Sequence, residues 1–176
     1  TGKTTLVEQI LAAGKAIAKP ETVESGKTVS DYDEDEIARK ISIRTSLSHI
    51  NWNDTKINIL DTPGSSDFVG EVVSGLHVSE SALVVVGGDS GVQIETIKIW
   101  RRLSRNSKPA IVFVNKLEKE HAEFSSVVSD LAERFAGNFV ALTIPMETGP
   151  SFKGVIDVMA MKAYTGDQIT DVPDEY

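Results

Sequence analysis

The chain has 176 residues, 40% of them apolar and 25% charged, with no cysteine, three histidines and a formal net charge of −8. That length suits one domain with a sizeable core. The missing cysteines exclude disulfides and thiolate metal sites, and the composition is compatible with the cytosol, where the protein is expected. No apolar run approaches the roughly 18 residues that a membrane span needs. An acidic surface grips nucleic-acid phosphates poorly, so no direct sequence-specific nucleic-acid binding by this domain is expected.

In chain order, LVEQILAAGKAI has helical spacing at Leu6, Ile10 and Leu11 and a stop at Gly14. Residues 18–40 are polar, with Pro20, Gly26 and an acidic run from Asp31 to Glu36; they read as a long, mobile connection with a solvated charged face. ISIRTSLSHINW and KINILD alternate as strands that a turn at Asn53-Asp54 would join. DFVGEVVSGLHVSESA reads as a helix, ALVVVGG as a buried strand, and VQIETIKIWRRLSRN as a helix with Ile94, Ile97 and Trp100 on one side. PAIVFVNK is a second buried strand and HAEFSSVVSDLAERFAG a further helix. This alternation predicts an α/β fold with a mostly parallel sheet, three-layered as α/β/α. FVALTIPM reads as a last core strand, and the Gly- and Pro-punctuated strands after it as the start of a strand-rich inserted subdomain. The expected division is 1–138 for the core and 139–176 for the last core strand and the insertion. Trp52 and Trp100 are expected to pack, Met159 and Met161 to fill gaps in the annex, and Arg101-Arg102 to face solvent.

Three short stretches carry chemistry. Gly2-Lys3-Thr4-Thr5 opens the first helix and matches the second half of a phosphate loop, G-x-x-x-x-G-K-[ST], whose first half would lie before Thr1. Thr1 is therefore not expected to be a true terminus. Asp61 ends a strand and is followed by Thr62-Pro63-Gly64. A carboxylate there suits Mg2+, which takes hard oxygen ligands and keeps several waters, while Gly64 leaves a bare N–H for a phosphate. Asn115-Lys116-Leu117-Glu118 follows a buried strand, the place of a base-reading loop in nucleotide-binding sheets. Each stretch alone also reads as an ordinary turn. The three in this order make a phosphate, metal and base site the stronger reading.

With those residues in view, the chain resembles the translational GTPases, specifically elongation factor G and its close relatives. ARKISIRTS is similar to the family's first switch, DTPGSSDFVGEV to its second, ESALVVVGGDSGVQIET to the following strand–helix segment, and IPMETGPSFKGVIDVMAMKAY to the start of its characteristic insertion. The similarity runs from Thr1 to about Tyr164 and covers only the nucleotide domain, complete at neither end. The resemblance implies that GTP or GDP is bound with Mg2+ and that the ribosome is the partner. By position it implies phosphate contacts from Gly2, Lys3, Thr4, Thr5 and Gly64, metal contacts from Thr4, Ser42 and Asp61, and guanine recognition by Asn115, Lys116 and Glu118.

Three departures from the family pattern bear on function. Lys40 replaces a glycine in the first switch. Ser65 stands where the family has the histidine that orients the attacking water, so Ser65 and Gly64 are the residues left at the catalytic position. None of His49, His77 and His121 is an obvious substitute. Losing such a group costs about 10²–10⁴-fold in rate. Glu118 replaces the aspartate of N-K-x-D, and the extra methylene weakens guanine preference by about one to two decades if it misplaces charged hydrogen bonds. Three readings follow: a slow or ribosome-dependent GTPase, a nucleotide-dependent ribosome-binding module with little turnover, and a P-loop enzyme with altered base choice.

Overall fold

A computed structural model describes residues 1–135 and 137–176. The chain divides into two compact units, Thr1–Ala82 with Ser107–Ala110, and Leu83–Asn106 with Ile111–Tyr176.

The first unit begins with α1, Lys3–Ala13, entered from Gly2 in a left-handed conformation and closed at Gly14. A short 3-10 turn, Val23–Ser25, and a helix α2, Glu34–Arg39, follow. Strands β1, Ser46–Trp52, and β2, Thr55–Asp61, pair antiparallel, with Ser46 opposite Asp61 and Trp52 opposite Thr55. Asn53 and Asp54 both have positive φ, 47° and 59°. That is the two-residue hairpin geometry which Asn and Asp tolerate best among side-chain-bearing residues. Val7, Leu11 and Ile50 form the buried centre, flanked by Ile10, Ile17 and Ile59, so α1 lies on the hairpin. Gly14 permits that approach, since a Cβ there would sit 2.7 Å from the Ile50 side chain. After β2 a 3-10 turn, Ser66–Phe68, leads into α3, Val69–Val78.

The second unit carries nearly all of β3, Ala82–Gly87, with α4, Ile94–Arg105, most of β4, Ala110–Asn115, and α5, Phe124–Arg134. β3 and β4 are neighbours. The Ala82 N–H bonds to the Pro109 carbonyl at their starts and the Gly88 N–H to the Asn115 carbonyl at their ends, so the strands run parallel around α4. Trp100 stacks on Phe135 with ring centroids 4.8 Å apart and lies 5.2 Å from Phe139. Strands β5, Thr143–Pro145, β6, Val155–Asp157, β7, Lys162–Thr165, and β8, Gln168–Asp171, make an antiparallel sheet in sequence order. Its own small core is Met146, Ile156 and Ala163. Gly154 is required there, because a Cβ would collide with the Tyr164 carbonyl oxygen.

Several expectations change. Residues 18–40 are not an unanchored connection. Glu8, fully buried in α1, accepts the Glu21 N–H at 2.9 Å and the Val29 N–H at 2.6 Å. The acidic run is not all solvated either: Asp31 and Glu36 are buried at 3% and 1% exposure. The buried face of α4 is set by Thr96 and Leu103, while Ile94 is 70% exposed. Trp52 is half exposed, and Met159 and Met161 are exposed, the annex core being filled by Met146 instead. Only Thr143–Pro145 of the stretch FVALTIPM is strand, and among the described residues it pairs with β6 in the annex sheet, so it is not a last core strand. Among the described residues, no helix is long and apolar enough to cross a membrane.

Candidate functional site

The first unit brings together residues that are far apart along the chain. Gly2 has φ 86° and ψ 30°, a region that glycine enters without steric cost, and it aims the start of α1. Thr4 is buried in the first turn, and its Oγ1 donates to Asp61 Oδ2 at 2.8 Å. Asp61 is the last residue of β2, where the hairpin ends and the chain turns through Pro63. Ser42 Oγ donates to Asp31 Oδ1 at 2.6 Å and lies 3.2 Å from Thr4 Oγ1. The Lys3 ammonium stands over Gly64, since a Cβ on Gly64 would be 2.8 Å from Lys3 Nζ. Lys3, Thr4, Ser42, Asp61 and Gly64 thus converge. Thr5 is exposed in α1 and takes no part in these bonds.

Burial sets the electrostatics. It pushes the Lys3 ammonium below its ordinary value, against the opposing pull of Asp61 and Asp31. It pushes the Asp61 carboxyl up, against the Thr4 hydrogen bond and the Lys3 charge, and the Asp31 carboxyl up, against the Ser42 hydrogen bond. These carboxylates are therefore costly to keep ionised with only one ammonium nearby, and a further cation would relieve that cost.

The hydroxyls show how a cation would be held. Each has one proton. Thr4 donates to Asp61 and Ser42 to Asp31, and the two hydroxyl oxygens lie within hydrogen-bond distance of each other at 3.2 Å. Their lone pairs are left for another partner. With Mg–O distances of about 2.0–2.1 Å, adjacent ligands of an octahedral ion lie about 2.9 Å apart, close to that spacing. Among the described residues no group of three or more His, Cys, Asp or Glu side chains forms a metal cage. The donor set is the sparse, hydroxyl-and-carboxylate kind that Mg2+ shares with a substrate's phosphates.

The segment carrying Ser42 is tied at several points. Glu36 Oε1 accepts the Ile43 N–H at 2.8 Å and the Arg44 N–H at 3.0 Å, and its Oε2 accepts the Asp33 N–H at 3.2 Å. Burial pushes the Glu36 carboxyl up, but the backbone donors of Arg44, Ile43, Asp33 and Tyr32 outweigh it and hold the group below its usual range. Glu71 of α3 accepts the Thr45 N–H at 2.7 Å. Lys40 sits at φ 55° and ψ 39°, the left-handed position that a glycine would occupy without strain; a side chain there costs roughly 1–2 kcal/mol. Sequence reading missed Glu8, Asp31, Glu36 and Glu71 as structural anchors. The Asp33-x-x-Glu36 spacing was a visible helix-start signal for α2.

Ser65 lies differently. Its Oγ accepts the Asp67 N–H and approaches Asp67 Oδ2, both at 3.3 Å, so the hydroxyl caps the 3-10 turn that follows. Within the first unit, His49 and His77 are not drawn into the Lys3 cluster; they lie in β1 and in the last turn of α3, and His121 lies in the second unit, in the loop before α5.

In the second unit, Asn115 ends β4 and its carbonyl accepts the Gly88 N–H at 2.7 Å. Lys116 has φ 59°, Leu117 is buried with its carbonyl accepting the Gly149 N–H at 2.7 Å, and Glu118 is exposed. The loop is anchored by backbone, leaving the Glu118 carboxylate at the surface. His121 and Glu123 border a polar hollow of about 240 Å³ beside Gly88 and Asp89.

The chain is similar to several known proteins. An elongation factor G-like protein of Thermotoga maritima is 38% identical over 180 residues, covering 100% of this chain and 26% of that protein. An elongation factor G of Dehalococcoides mccartyi is 36% identical over 174 residues, covering 99% of this chain and 25% of that protein. The chain thus spans about a quarter of the length of these relatives. A crystal structure of a protein from Thermus thermophilus superposes with a TM-score of 0.91 at 32% identity, covering 99% of this chain and 27% of that one. Residues 1–175 match the elongation factor Tu GTP-binding domain. The chain is an α/β protein with a parallel strand pair and antiparallel strands, and it belongs to the elongation factor Tu GTP-binding domain family.

Proposed function

We propose that this chain is the nucleotide domain of an elongation factor G-like translation factor that binds GTP and GDP with Mg2+, acts on the ribosome in the cytoplasm, and hydrolyses GTP slowly or with more help from the ribosome than its histidine-bearing relatives. The observation that carries this reading is the convergence of Thr4, Ser42 and Asp61 beside the Lys3–Gly64 contact. Gly2, Lys3, Thr4 and Thr5 would cradle the phosphates, with Lys3 neutralising the β- and γ-oxygens and the Gly64 N–H facing the γ-phosphate. Thr4 and Ser42 would be hydroxyl ligands of Mg2+, with Asp61 acting through Thr4 and through water. When bound, Mg2+ neutralises charge that develops across the β- and γ-phosphates. Asn115, Lys116 and Glu118 would read the base. Residues 1–138 would serve as the nucleotide core, and 139–176 as the start of an insertion with its own small core.

Calorimetry on the full-length protein tests the binding reading: Mg2+-linked uptake of GTP is expected, and its absence rejects the proposal. Parallel titration of GTP, ATP and XTP tests the base loop; tight GTP binding without ATP binding removes the altered-base reading prompted by Glu118.

The second reading, a ribosome-binding module that holds GTP and scarcely turns it over, is favoured by Ser65, whose hydroxyl is engaged by its own turn. Single-turnover hydrolysis with and without ribosomes separates the two. A ribosome-stimulated rate equal to that of a histidine-bearing relative discards the module.

A further inference from the structure

Helix α4 carries a row of side chains that the nucleotide site does not use. Ile94, Lys98, Arg101 and Arg105 follow one another at helical spacing, so they line one face. The buried Thr96 and Leu103 lie on the opposite face. By the helical rise the row is about 16 Å long. Ile94 is 70% exposed at its head, and Lys98, Arg101 and Arg105 are exposed along it. The surrounding chain is acidic, with 26 Asp and Glu against 18 Lys and Arg. Lys19, Arg44, Arg134, Lys153 and Lys162 each pair with a carboxylate. On α4 only Lys98 does so, with Glu95 at 2.8 Å. Among the described residues, Arg101 and Arg105 form no ion pair, although carboxylates are plentiful. The helix dipole accounts for a cation in the last turn, where Arg105 lies. It does not account for Arg101, nor for an apolar side chain left in water on the same row.

A guanidinium takes carboxylates or phosphates by paired hydrogen bonds. Three features favour carboxylates on a protein. Ile94 adds an apolar contact to the charged row, the mixture from which protein interfaces are built. The row offers no ring on which a nucleic-acid base could stack, because Trp100, the aromatic residue of α4, stacks on Phe135 instead. The net charge of −8 repels a polyphosphate chain at long range, whereas a protein partner needs only local complementarity. We infer that Ile94, Lys98, Arg101 and Arg105 form a docking face for an acidic protein segment whose carboxylates recur at helical spacing beside an apolar side chain. None of these four residues belongs to the Lys3 cluster or the base loop, so the inference stands apart from the nucleotide reading.

The test uses the full-length protein and a fluorescein-labelled helical peptide with glutamates at the spacing of the row and one leucine at its end. Fluorescence anisotropy compares that peptide with its glutamine counterpart and with a labelled oligouridine of similar length. The glutamate peptide is expected to bind, less tightly as ionic strength rises, and the other two to bind more weakly or not at all. Reversing the charge in the double variant Arg101→Glu, Arg105→Glu should weaken the peptide about tenfold or more. Arg101→Lys with Arg105→Lys, which keeps the charge and loses the paired geometry, should weaken it less. Ile94→Ser should weaken it without changing its salt dependence. Circular dichroism and an unchanged affinity for fluorescent GDP check that the variants are folded. No binding by the unaltered protein, an affinity indifferent to charge reversal, or tighter binding of oligouridine than of the peptide overturns the inference.

Discussion

Two stretches of the first unit serve the same Lys3 neighbourhood and are held in opposite ways. Residues 31–45 are tied by buried or half-buried carboxylates: Glu36 takes the N–H groups of Ile43 and Arg44, Glu71 takes that of Thr45, and Asp31 takes the Ser42 hydroxyl, all at 2.6–3.0 Å. Residues 64–68, by contrast, are shaped by exposed bonds of 3.2–3.3 Å between Ser65 and its own turn. Charge-assisted bonds in a dry setting are short and strong, and exposed ones compete with water. On the proposed function, the stretch carrying the Ser42 hydroxyl is thus pre-positioned for a cation, while the stretch that would place the attacking water has no imidazole and only a weak local brace.

The largest effect should come from supplying what the weaker stretch lacks. Ser65→His is expected to raise single-turnover GTP hydrolysis by about 10²-fold or more, measured by rapid-quench assay; an unchanged rate means that another group places the water. Next is Glu36→Ala, which strands three backbone donors. At about 1 kcal/mol or more for each donor left unsatisfied, it should cost about 3 kcal/mol of urea-measured stability. Amide exchange at Ile43 and Arg44 should accelerate with it, and protection unchanged at both would break the comparison. Acid sharpens the same point. The Glu36 carboxyl is held below its ordinary 4.5, against burial, by the N–H donors of Arg44, Ile43, Asp33 and Tyr32. Its contribution is therefore present above that ordinary value and is lost as pH falls through the depressed one. Exchange protection at Ile43 should drop below about pH 4.5 in the unaltered protein, and Glu36→Gln should flatten that dependence. The smallest effect should be Ser65→Ala, within about 0.5 kcal/mol of the parent's stability, because the bonds it removes are solvent-exposed; a loss several times larger would show that the turn is braced after all.

The Asn53-Asp54 hairpin was legible because its turn chemistry is local, and so were the start of α1 at Gly2-Lys3 and its stop at Gly14. Asp61 was legible as a strand-end carboxylate, and its meeting with Thr4 followed from motif order. Asp31, Glu8 and Glu36 were not legible. In sequence they are ordinary acidic residues, and what makes them anchors is backbone N–H groups and a hydroxyl brought from 7 to 21 residues away. Ile94 and Met159 misled for the same reason: periodicity shows that a residue is apolar, and only the neighbours that arrive decide whether it is covered.

Local pattern by itself determined the order of strands and helices, the glycine positions that the phosphate loop and turns require, and the residue types offered to a phosphate–metal site. Tertiary structure alone decided which carboxylates left water, because the cost of burying a charge is met only where donors converge from distant parts of the chain. That convergence turned residues 31–45 from an acidic connection into one wall of the candidate site.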